Sequence, residues 1–101
     1  MLDTLNISDF QPLLNKHITI RFQHPDATLP AELIEVKAIN SYSTPDSKRS
    51  PFSITLRTQQ QGQYYSQAIY TIEHPEKGDL EVFMVPIGPD GEGMRYEVVF
   101  N

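Results

Sequence analysis

QAIYTIEHPEKGDLEVFMVPIG, residues 67–88, holds two alternating apolar runs around one polar reversal. Ala68, Tyr70 and Ile72 recur at every second position, and Leu80 and Val82 resume the pattern after Pro75 and Gly78. A period of two places such residues on one face of a strand, whereas a helix would need spacings of three and four. The stretch therefore reads as a β-hairpin. Its tip, EHPEKGD at residues 73–79, is a tight reversal in which His74 holds the turn through a bond between its ring and the backbone. The competing reading makes His74 and Glu76 a small-ligand site at the strand ends, with Tyr65 nearby and Glu73 or Asp79 assisting a general base.

Working outward, the same alternation marks four more segments. Predicted strands cover about 17–23, 31–39, 51–58, 67–73, 79–87 and 94–100. Their inward residues are Ile18, Ile20 and Phe22; Ile34, Val36 and Ala38; Phe52, Ile54 and Leu56; and Met94, Tyr96, Val98 and Phe100. Before them, Phe10, Leu13 and Leu14 fall at helical spacing over residues 8–15, with Asp9 as the preferred cap and Asn15 as the stop. The fold class is all-β: a six-stranded, mainly antiparallel small barrel or sandwich with one short N-terminal helix packed on it. At 101 residues the chain is a single domain, 1–101. The polar segments 40–50, 59–66 and 88–93 connect strands, and the first has the composition of a mobile loop.

One feature breaks the one-face rule. FMVPIG, residues 83–88, is apolar on both faces, so Phe83 and Val85 join Ile69 and Val99 in a second apolar set outside the core. Coverage of that set by the helix, through Ile7, Phe10, Leu13 and Leu14, is preferred over its exposure as a contact site. Tyr64 and Tyr65, in a glutamine-rich segment, form a second candidate suited to a protein interface or to sugar stacking.

Several classes of function are disfavoured. With 8 Lys plus Arg against 13 Asp plus Glu, net −5, and no basic cluster, nucleic acid is not an expected partner. The absence of cysteine removes thiol catalysis and zinc ribbons. His17, His24 and His74 lack metal-ligand spacing, so neither a metal nor a cofactor is expected. No nucleophile elbow or phosphate cradle occurs, and GPDGEG at 88–93 combines a proline with two acids. The two His-Pro dipeptides, at 24 and 74, share no further sequence and mark no internal repeat. No stretch has the length of a membrane span, and the acidic N-terminus lacks signal-peptide character, so a cytoplasmic location is expected, with export inside a larger particle left open.

The segments FQPLL (10–14), PFSITLR (51–57), QAIYTIEHPEKG (67–78), FMVPIG (83–88) and YEVVFN (96–101) together resemble a family of small uncharacterised bacterial proteins, a domain of unknown function. That resemblance implies one β-rich domain with no assigned catalytic residue. It also implies an association with phage-tail-like gene settings, and hence a structural or adaptor subunit. The function expected is a non-enzymatic interaction or assembly module acting on a protein partner or as a homo-oligomer, through Ile69, Phe83, Val85 and Val99 or through Tyr64 and Tyr65.

Overall fold

Six antiparallel strands close on themselves in the computed structural model, which describes residues 5–39 and 51–101. They are β1 (His17–Phe22), β2 (Ala27–Ala38), β3 (Phe52–Arg57), β4 (Ala68–His74), β5 (Gly78–Pro89) and β6 (Met94–Phe100). Around the barrel the order is β1-β2-β3-β6-β5-β4. Two three-stranded meanders are thus joined by residues 58–67, which cross from β3 to β4 on the far side of the same barrel end. Closure comes from β1 against β4, with Ile20 opposite Ile72, and from β3 against β6, with Phe52 opposite Phe100. Full closure pairs the strand edges that an open sheet would expose.

The expected inward residues of β1, β3, β4 and β6 face the core, and Ile20, Phe52, Ile54, Leu56, Ile72 and Tyr96 are wholly buried. β2 departs from the reading of its sequence. It begins at Ala27, and its buried residues are Ala31 and Leu33, flanked by half-buried Leu29. The register shifts between Leu33 and Glu35, so Ile34 is the extra residue of a bulge, and Val36 resumes the inward face opposite Ile54. A single alternation drawn through the whole segment therefore takes the wrong parity before the bulge. Pro30 obscured the start of this strand, yet residues 27–31 pair with β1 alone, where a proline is tolerated. Pro86 and Pro89 sit likewise where β5 pairs only with β6.

The short N-terminal helix is present as expected and differs in type, cap and packing. It forms two consecutive 3₁₀ turns, Ile7–Asp9 and Gln11–Leu13, rather than one α-helix, since so short a segment does not repay helix nucleation. Asn6 is the cap, and Asp9 reaches back to accept its N–H at 2.8 Å. Asn15, at φ 69°, ends the segment as expected. The turns do not cover the outer apolar set. Instead Leu5 and Phe10 plug one end of the barrel, where the Phe10 ring meets Phe52, Phe100 and His74 at centroid distances of 5.9, 5.3 and 5.1 Å. The polar stretch 40–50 lies outside the described residues. Among those described, no helix is long and apolar enough to cross a membrane.

Candidate functional site

The β4–β5 turn builds up from His74, which is buried although its neighbours Pro75, Glu76 and Lys77 are exposed. Its Nδ1 accepts the backbone N–H of Glu76 at 3.0 Å and of Lys77 at 3.1 Å. The ring proton therefore sits on Nε2, which donates to the carbonyl of Asp9 at 2.7 Å. Gly78, at φ 79°, supplies the left-handed residue that completes the reversal. Both ring nitrogens are thus engaged, one in the turn and one in the N-terminal plug. Glu76 is exposed on the turn, and Tyr65 lies with Phe22 at the opposite end of the barrel, so these three candidates do not converge.

On the outside of β4, β5 and β6 the second apolar set is exposed. Ile69 and Phe83 are directly paired across β4 and β5, at 63% and 53% exposure. Val99, 46% exposed, is the chain neighbour of Val98, which pairs with Met84, itself next to Phe83. Val85 is half-buried and faces Glu97, while Ile87, the extra residue of a second bulge, is also exposed. Acidic side chains border this face: Glu81 lies two positions from Phe83 and Glu97 two from Val99, and neither pairs with a lysine or arginine among the described residues. Lys37, opposite Ser53 on the row that carries Val99, is a nearby cation.

The second barrel end is closed by aromatic rings. Tyr65 stacks on Phe22 at 4.1 Å and 10°, and Tyr70 and Tyr96 pack against the same ring at 4.9 and 5.4 Å. The crossover is tied down from three sides. The Tyr65 N–H donates to the Tyr96 hydroxyl at 2.9 Å, the Tyr65 hydroxyl donates to the Pro25 carbonyl at 2.7 Å, and Tyr70 donates to the Ser66 carbonyl at 2.6 Å. Burial raises the phenol pKa of Tyr96 and of Tyr70 above the ordinary tyrosine value. Between the crossover, the β1–β2 turn and the start of β4 runs a groove of about 1060 Å³, lined in part by Tyr64, Tyr65, Gln60, Gln63 and Gln23. Ile69 lines its edge and so belongs to both the groove and the apolar face. Neighbouring His24 has a positive φ of 64°, rare for a residue with a side chain.

Opposite charges gather at the β5–β6 hairpin. Arg57 contacts Asp90 at 2.9 Å, Glu32 at 3.0 Å and Glu92 at 3.4 Å. Asp90 Oδ1 also accepts the N–H groups of Glu92 and Gly93, and its bond with Arg57 is the main reason that its carboxyl pKa lies below the ordinary range. Among the described residues no group of three or more His, Asp or Glu side chains is placed to hold a metal.

A family profile matches residues 5–100, nearly the whole chain. The chain belongs to the DUF6916 family. That family is defined as a domain of unknown function. Comparison with curated proteins and with solved structures returns no match. What the sequence of this DUF6916 domain did not reveal is the groove itself and the placing of Gln23 beside the glutamine-rich crossover. Gln23 reaches it from the β1–β2 turn and Gln60 from the crossover, and no spacing rule links two such distant positions.

Proposed function

We propose that this DUF6916 domain is a non-enzymatic interaction and assembly module whose contact surface is the outer face of β4, β5 and β6, centred on Phe83. The observation that carries this reading is the paired exposure of Ile69 and Phe83 beside Val99, on a barrel whose own core and both ends are already filled. A contiguous apolar patch of this kind costs solubility unless a partner covers it. The acidic border argues for a heterologous partner. A two-fold pairing of identical faces would bring two acidic borders together, on a chain that already carries a net charge of −5. The occupant that fits is a protein presenting an apolar centre rimmed by lysine or arginine. A structural or adaptor subunit, as in a phage-tail-like particle, is the concrete form of this reading; the sequence resemblance supports that form.

Photo-crosslinking tests it. A benzophenone side chain at position 69 should trap one partner in the host cell, and the purified partner should then bind the domain in vitro. Phe83→Asp should weaken that binding about tenfold or more with little change in the melting temperature. Glu97→Lys should weaken it separately and flatten its salt dependence. An adduct formed only with a second copy of the chain, or an affinity unmoved by Phe83→Asp, would refute the proposal.

A further inference from the structure

We infer that the groove at the Phe22 end of the barrel is a binding site for a neutral polyhydroxylated ligand, a carbohydrate chain. This goes beyond the apolar contact face, with which it shares only Ile69.

The chemistry of the lining selects the class. Among the described residues no Asp, Glu, Lys or Arg lines the groove, and His24 is its one side chain able to carry a positive charge, so no fixed charge there selects an ionic ligand. What it offers instead is tyrosine rings and primary amides. Sugars present apolar C–H faces that lie against aromatic rings and hydroxyl pairs that both donate and accept, and an amide side chain answers both roles.

Gln60 is prepared for that use. Its Oε1 accepts from the hydroxyls of Tyr96 at 2.7 Å and Thr58 at 2.8 Å, which fixes the amide plane. Its NH₂ group has no partner among the described residues and remains available as a donor. Gln23 and Gln63 likewise make no hydrogen bond among the described residues. Tyr64 is 63% exposed, and among the described residues neither its ring nor its hydroxyl has a stacking or hydrogen-bond partner. Tyr65, by contrast, is held rigid by Phe22 and Pro25, so the groove pairs a fixed aromatic wall with a free one. At about 1060 Å³ it is as large as the largest small-molecule sites and accommodates several sugar rings. Aromatic grooves also take polyproline helices, but a proline chain lacks donors, and three unpartnered amides match hydroxyls better.

The test is an amide-resolved NMR titration of the whole chain with maltotriose, cellotriose and triacetylchitotriose, each to about 10 mM, with a proline decamer as comparison. At least one trisaccharide should bind with a Kd near 1 mM or tighter and move the amides of residues 23–25 and 60–66. Tyr64→Ala should weaken it about tenfold, Tyr64→Phe should retain most of it, and Phe83→Asp should leave it unchanged, which separates this site from the apolar contact face. Absence of shifts with all three sugars overturns the inference. So does binding of the proline decamer in their place, or sugar binding indifferent to Tyr64→Ala.

Discussion

Replacing His74 by alanine is the sharpest probe of how this barrel is held, because one ring joins a hairpin tip to the plug of the barrel end. The substitution removes two bonds accepted from the Glu76 and Lys77 amides and one donated to the Asp9 carbonyl. Each contributes about 0.5–1.5 kcal/mol net. The edge-on contact with Phe10, at 5.1 Å and 86°, adds about 0.5–1.5 kcal/mol. The sum is roughly 2–6 kcal/mol, a large share of the ~5–15 kcal/mol that stabilises a small domain. Urea unfolding should show that loss at unchanged slope, and the melting temperature should fall by about 10 °C or more. Two further variants divide the effect. His74→Asn keeps an acceptor near Nδ1 for the turn but loses the reach to Asp9, whereas His74→Gln keeps the reach and loses the turn, so each should recover part of the stability. A loss below about 0.5 kcal/mol for His74→Ala would refute the reasoning. It would leave the ring spare and return His74 and Glu76 to consideration as a ligand site.

Two predictions concern pH. Asp90 has a depressed carboxyl pKa in the folded chain, so its contribution is present above the ordinary carboxylate value and is lost as pH falls through the folded one. Asp90→Asn keeps the oxygen that accepts from Glu92 and Gly93 but ends the pairing with Arg57. Its urea midpoint should lie below that of the parent near neutrality and converge with it in acid, and a gap that stays constant down to about pH 2 would contradict the assignment. Tyr70 and Tyr96 have raised pKa values through burial, so the stability they confer is intact below the ordinary tyrosine value and disappears as pH climbs through the folded ones. Absorbance titration should show these two ionising only together with alkaline unfolding; their ionisation ahead of any loss of circular dichroism would count against it.

Much of the barrel was readable because alternation is a local property. Ile18, Ile20 and Phe22, or Met94 through Phe100, declare their inward face within a few residues, whatever strand lies beside them. The His74 turn was legible for the same reason, since Pro75 and Gly78 announce a reversal without reference to the rest of the chain. The bulge in β2 escaped notice because Ile34 is as apolar as its neighbours, and only pairing with β3 shows it to be the extra residue. The fate of the outer apolar set was decided in three dimensions. Phe10 has the same composition value whether it covers Phe83 or plugs the barrel, and the choice depends on the cavity that Phe52 and Phe100 leave at the end. The groove is more remote still from local reading. Gln23 and Gln60 line one groove only because β1 closes against β4 and the crossover is drawn over that end by Tyr65 and Tyr96. Periodicity specifies which way a side chain faces; which distant side chains it then meets is set by strand order and closure, and these are properties of the whole chain.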